Sequence, residues 1–265
     1  MLFSFSSEKP SKTEKRKIEK AQTEADPATY SSLSPSDLEH IDTNHYNYAV
    51  VRDTHGNRYV DVTEKWGYTG PTERVVALLL KGIVNVSDLV RVESESGVKY
   101  YSKVMEVEKT KDATMQEMQA DMALIHILFK DVDHSFESRD GGDHNLIRDK
   151  SKKKIFFFDF GGAMFGFWPK NSEHGDPLED LDSFAVHKLT EKLQALHTRI
   201  SGAEGTQFLQ HIINESGKSV NELFMETPSK DSKTPFQVLH EEPLTRIESA
   251  LEVASQRENS LKKVA

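Results

Sequence analysis

No cysteine occurs anywhere in this sequence. Disulfides, cysteine-ligated zinc and thiol catalysis are therefore excluded, and with them a secreted disulfide scaffold. Positive charge is also short: 34 Lys and Arg stand against 43 Asp and Glu, for a net charge of -9 and a pI near 5.7. A surface that neutralises nucleic-acid phosphates needs the opposite balance, so no nucleic-acid partner is expected, although local basic patches stay open. No apolar run approaches the roughly 20 residues of a membrane-spanning helix. The apolar start MLFSF is followed, not preceded, by charge, so neither a secretory signal nor a transmembrane segment is expected. The expectation is a soluble protein, either cytoplasmic or carried into a host cell by another route as an effector.

A hydrophobic fraction of 36% beside 29% charged residues is enough for one large domain or two small lobes sharing a cleft. Residues 1–29 are rich in Lys, Glu and Ser with almost no apolar periodicity, which predicts a disordered or frayed arm. From Tyr46 to Glu64, YAVVRD and RYVDVTE flank the turn-forming Thr54-His55-Gly56-Asn57, a hairpin pattern. In WGYTGPTERVVALLLKGI, Gly70 and Pro71 prepare a helix start, and Val76, Leu79, Leu80 and Ile83 line one side. A second hairpin is predicted over residues 88 to 107, around Glu95-Ser96-Gly97. A helix follows in which Thr114 and Glu117 stand in the capping-box relation and Met115, Met118, Met122, Ile125 and Phe129 form a packing stripe. NLIRD and KIFFFDF then flank the basic turn Lys150 to Lys154 as a third hairpin. Beyond about Asp180 the pattern is helical, with Val186, Leu189, Leu193, Leu196 and Ile200 on one face and shorter apolar clusters at Phe208 to Ile213, Val220 to Phe224 and Leu244 to Leu251.

The chemistry-bearing stretch is Ser138-Arg139-Asp140-Gly141-Gly142-Asp143-His144-Asn145-Leu146-Ile147, followed fourteen residues after Asn145 by Asp159-Phe160-Gly161. Two carboxylates and a carboxamide around a hairpin form the hard-oxygen set that a phosphate-bound Mg²⁺ and an acceptor hydroxyl require. Taken as loop residues alone, Asp140, Asp143 and Asn145 are turn formers and Asp159 a strand-end carboxylate. Together, at this separation, they resemble the catalytic loop and metal-binding loop of the protein kinase-like superfamily. The glycine-bearing RDGGDHNLI and the lack of an Ala-Pro-Glu segment look closest to HipA-type kinases and type II phosphatidylinositol 4-kinases.

The resemblance covers about residues 44 to 200 and implies an α+β, bilobal fold: a small β-rich N-lobe over residues 30–107 and a mainly helical C-lobe over 108–265. It implies an ATP- and Mg²⁺-dependent kinase acting on a protein hydroxyl. Asp140 would position the acceptor, while Asn145 and Asp159 would hold the metal. Lys65 and Glu73 would be the lysine–glutamate pair at the phosphates, with Lys103 and Glu117 as the rival pair. Met105, Glu106 and Val107 would form the hinge that meets adenine.

Departures from the pattern keep other readings open. No Gly-x-Gly-x-x-Gly occurs, and only Gly67 and Gly70 offer glycine flexibility near the phosphates. Glu73 near a helix start is equally served by the helix dipole. Lys150, Lys152, Lys153 and Lys154 read first as a solvated hairpin tip and second as an anion patch for a phosphoinositide, an inositol phosphate or an acidic substrate. His126, His134 and His144 show no metal-ligand spacing. The alternatives are a phosphoinositide kinase, a pseudokinase or nucleotide-binding interaction module, and an enzyme that transfers AMP from a flipped ATP.

Overall fold

The computed structural model describes residues 34–43, 48–63, 69–87, 89–95, 97–104, 107–108, 115–129, 146–149, 154–157, 160, 178–179, 181–216 and 235–264. The chain is α+β, with two antiparallel sheets and five α-helices among these residues. After a single 3-10 turn at Pro35–Asp37 come β1 (Glu39–Thr43), β2 (Ala49–Arg52), β3 (Arg58–Asp61), α1 (Thr69–Leu80), β4 (Leu89–Ser94) and β5 (Gly97–Lys103). The strands pair in the order β1-β2-β3-β5-β4. The chain therefore leaves β3, crosses through α1 to the far edge, and returns by a hairpin that inserts β5 beside β3.

Turn chemistry fixes the β2–β3 hairpin. The Asp53 carboxylate accepts from His55 N at 2.9 Å, Asn57 N at 2.8 Å, Asn57 Nδ2 at 2.8 Å and Tyr59 Oη at 3.1 Å, closing a loop in which Gly56 adopts φ 83°. Burial pushes this carboxyl up, but the hydrogen bonds from Asn57, Tyr59 and His55 outweigh it and hold Asp53 below the ordinary carboxylate value. A depressed folded-state pKa stabilises the fold above the unfolded carboxylate range and is lost as pH falls through that range into the folded value. Asp53→Ala is accordingly expected to cost about 2 kcal/mol at neutral pH and to flatten the acid limb of the stability curve. Urea unfolding between pH 7 and pH 3 checks both; an acid limb unchanged in the variant would remove Asp53 from the account.

The second sheet has the order β6-β7-β8, from β6 (Val107–Glu108), β7 (Leu146–Asp149) and β8 (Lys154–Phe157). Helix α2 (Met115–Phe129) lies between β6 and β7 in sequence, and α3 (Ser183–Ile200), α4 (Gly202–Glu215) and α5 (Pro235–Val264) follow. The α3 start is capped by Asp182, whose side chain accepts from Ala185 N at 2.8 Å. Its apolar positions Val186, Leu189, Leu193, Leu196 and Ile200 are all buried, as the helical spacing predicts. One large core joins α1, α2, β8, α3, α4 and α5, while two smaller clusters cover the first sheet: Val51, Tyr59, Val90, Val92 and Tyr101 form one, and Val62, Leu89 and Tyr100 the other.

The helix α1 is enclosed on every side. Gly70 through Leu80 are all buried, Thr72, Glu73 and Arg74 included, because β4 and β5 cover one flank and α4 another. The close corner between α3 and α4 depends on Gly205, where a Cβ would lie 2.1 Å from the Ile200 carbonyl carbon and 2.3 Å from its oxygen. Glycine to alanine inside a helix ordinarily stabilises by about 0.5–1 kcal/mol. Here the obstacle is backbone, so Gly205→Ala is expected to destabilise by about 2 kcal/mol and lower Tm by ~5 °C; a raised Tm would contradict this packing.

No helix among the described residues is long and apolar enough to cross a membrane.

Candidate functional site

The β7–β8 hairpin organises the residues of interest. Its register pairs Leu146 with Phe157 and Asp149 with Lys154, so the chain enters β7 and leaves β8 at the same end. Asn145 directly precedes Leu146, and Asp159 follows Phe157 by two residues. Asp140, Asn145 and Asp159 themselves lie outside the described residues, as do Lys65, Met105, Asp143, His134, His144, Lys150, Lys152 and Lys153. The expected arm at 1–29 and the cluster Val220 to Phe224 also lie outside them. Lys154 opens β8 at the opposite end of the hairpin, and Val107 opens β6, pairing with Asp149. The segment expected as hinge thus leads from the first sheet into the second, where β6 is an edge strand among the described residues.

Around the exit of β8 the packing is tight. Phe157 N donates to Asn85 O and Ser87 N donates to Phe157 O, each at 2.9 Å, so the connection between α1 and β4 runs beside β8 as its second partner, opposite β7. Phe157 is fully buried and Phe160 is 2% exposed. The Phe160 ring lies 6.4 Å from that of Phe129, tilted by 59°, at the end of α2. Residues on both sides of Asp159 in the chain are thereby fixed in the main core. The Asp-Phe-Gly spacing singled out the aspartate; that its neighbouring phenylalanine anchors the segment is a property of the packing.

On the first sheet, Glu73 is buried in α1 at 7% exposure. The helix begins at Thr69, earlier than the Gly70-Pro71 signal predicts, so Glu73 lies beyond its first turn, and the dipole explanation for a carboxylate there loses force. The adjacent Arg74 is 3% exposed; it donates to Leu89 O on β4 and stands 3.8 Å from Glu215 at the end of α4. Lys103 ends β5, paired with Tyr59, and Glu117 lies on α2, which follows the whole five-stranded sheet.

One expectation about phosphate contacts is revised. Gly70 belongs to α1 and is pressed against Tyr100, whose ring would be 2.6 Å from an added Cβ, so this glycine serves close helix–sheet packing. Strand β1, which the hairpin pattern at 46–64 does not include, makes residues 44–48 the β1–β2 connection, and that stretch of sequence contains no glycine. Strand β3, Arg58–Asp61, carries no lysine, and Lys65 follows it by four residues.

Deeper in the core, Asp121 of α2 pairs with Lys192 of α3 at 2.7 Å. Burial pushes the Asp121 carboxyl above its ordinary value, and the Lys192 charge and hydrogen bond only partly offset this. Among the described residues no group of three His, Asp or Glu side chains could hold a metal ion.

No protein-family model matches the chain, and no curated protein matches it.

Proposed function

We propose that the protein is an ATP-dependent phosphotransferase with a bilobal, protein kinase-like fold, in which residues 30–107 form the small lobe and 108–265 the large one. The observation that carries this reading is the first sheet. Its five antiparallel strands have the helix between the third and fourth, followed by a hairpin whose open end adjoins Asn145 and Asp159 in sequence. In kinases a strand lysine, a glutamate on the following helix and the two metal-binding residues converge on the phosphates. The buried Glu73 on α1 and the edge position of β6 fit the helix glutamate and the hinge of that plan.

The donor set, one carboxylate and one carboxamide, suits a hard divalent cation. Asn145 and Asp159 would hold Mg²⁺, which when bound neutralises charge on the β- and γ-phosphates. Lys65, oriented by Glu73, draws charge from the α- and β-phosphates, and the backbone of Met105 and Val107 meets the adenine edge. Asp140 accepts the hydroxyl proton of a protein side chain as its oxygen bonds to the γ-phosphorus. The bond from that phosphorus to the β,γ-bridging oxygen breaks, and ADP leaves. Positioning and electrostatics supply the catalysis.

A second reading is favoured by the glycine-free β1–β2 connection: a pseudokinase or nucleotide-binding module that keeps the fold without turnover. Incubation with γ-labelled ATP and Mg²⁺, beside Asp159→Ala, separates the two. Label on the protein or a generic acceptor that vanishes in the variant supports transfer. Mg-ATP binding by thermal shift with no label supports the module, and label that reaches the acceptor only when α-labelled ATP replaces the γ-labelled nucleotide points to AMP transfer. An inositol lipid presented in vesicles, compared with a protein acceptor, distinguishes the substrate class.

A further inference from the structure

The connection after α1 is held by alternate carbonyls. Arg199 Nη1 donates to Leu79 O at 2.7 Å and to Lys81 O at 2.8 Å, and Lys192 Nζ donates to Ile83 O at 2.6 Å. The next carbonyl in the series, Asn85 O, accepts from Phe157 N at 2.9 Å. Lys192 and Arg199 are seven residues apart on α3, about two turns, and so lie on one face of it. Helix termination accounts for the bond to Leu79 O, a last-turn carbonyl of α1, but not for those to Lys81 O and Ile83 O beyond the helix end. Gly82 at φ 74° already turns the chain, and Ile83 N and Val84 N both return to Leu80 O, at 2.9 and 3.0 Å. What the two cations add is a tie from α3 to the segment that follows the helix carrying Glu73 and pairs alongside β8, the strand leading into Asp-Phe-Gly. Lys192 extends the tie to α2 through Asp121, at 2.7 Å.

We propose that Lys192 and Arg199 are positioning residues: by gripping residues 79–83 they hold α1 and β8 in one mutual geometry. The proposal rests on the phosphotransfer reading above, in which Glu73 and Asp159 must be in place together. Neither cation touches substrate; each acts through the backbone of the α1–β4 connection. This makes the α1 position a fixed property of the fold, set by the C-terminal helices of the same chain.

The test uses the full chain with Arg199→Gln, with the pair Asp121→Asn/Lys192→Met, and with Lys192→Arg. The double variant removes both members of the partly buried Asp121–Lys192 ion pair, so no carboxylate is left unpartnered. Expected in the first two is a ~10-fold fall in kcat, with KM for Mg-ATP changed by less than about threefold. Amide exchange at Ser87 and Phe157 should quicken ~10-fold beyond any change in global stability, and Lys192→Arg should keep most of the activity. Unchanged kcat in folded variants overturns the proposal, as does a fall in kcat with exchange at those amides unaltered. Should Arg199→Gln not fold, the double variant decides. Should the unmodified protein transfer no phosphate, the phosphotransfer reading fails by itself; the mechanical tie is then judged by exchange alone, and unchanged exchange overturns it.

Discussion

Asp140→Ala is expected to lower phosphotransfer by about 10²–10⁴-fold while Mg-ATP affinity stays within about threefold of the unmodified protein. In the proposed mechanism Asp140 meets the acceptor hydroxyl and not the nucleotide. Its loss removes an interaction made at the transferring end of the reaction and leaves the phosphate and adenine contacts alone. Asp159→Ala should behave differently, losing Mg-ATP binding and transfer together, because a metal ligand serves both steps. Single-turnover label transfer at saturating ATP, paired with calorimetric titration of Mg-ATP, separates these patterns. If transfer by the Asp140 variant matched that of the unmodified protein, the Arg139-Asp140-Gly141-Gly142 stretch would be a turn and nothing more. If nucleotide binding and cooperative unfolding were both lost, Asp140 would be a folding residue.

What could be read from the sequence followed how strongly each element depends on local pattern. The hairpins at 49–61 and 89–103 carry turn chemistry at Asp53 to Asn57 and at Gly97. Helix α3 buries every residue of its predicted apolar face, so 3.6-residue periodicity located it. Strand β1 escaped because it is an edge strand whose residues Glu39, His40 and Asp42 are exposed, leaving Ile41 as its one apolar signal. Helix α5 showed in sequence only through its cluster Leu244 to Leu251; the helix runs from Pro235 to Val264 with Pro243 buried inside it. The burial of Thr72, Glu73 and Arg74 on α1 was not legible either: the sequence shows one apolar side, and only the packing of α4 on one flank of α1 and of β4 and β5 on another encloses the rest. Likewise, nothing in the spacing of Lys192 and Arg199 marks them as partners of a backbone more than a hundred residues earlier. The motif residues were legible for the opposite reason, since phosphate chemistry restricts residue type and spacing whatever the surrounding fold.

Phe157→Ala is expected to destabilise the protein by about 4 kcal/mol, in the range for truncating a fully buried aromatic side chain. Against a total stability of roughly 5–15 kcal/mol, that is a large share, and Tm should fall by ~12 °C. The side chain has no exposed surface and belongs to the core cluster that joins α1, α2, β8 and the C-terminal helices. Its backbone plays a separate part, bonding to Asn85 and Ser87 on one side while its Cα pairs in register with Leu146 on the other. Phe157→Leu refills most of the cavity without disturbing those backbone bonds, so it should cost no more than about 1.5 kcal/mol and keep the β8 exit in place. Chemical denaturation of the two variants separates the packing contribution from the ladder contribution. A cost below about 1 kcal/mol for the alanine variant would mean that the site can collapse around the lost ring, and β8 would then be held mainly by its hydrogen bonds. The larger value would make the ring the anchor that seats the strand leading to Asp159 on the helical core, with the backbone bonds to residues 85 and 87 setting its register against the α1–β4 connection.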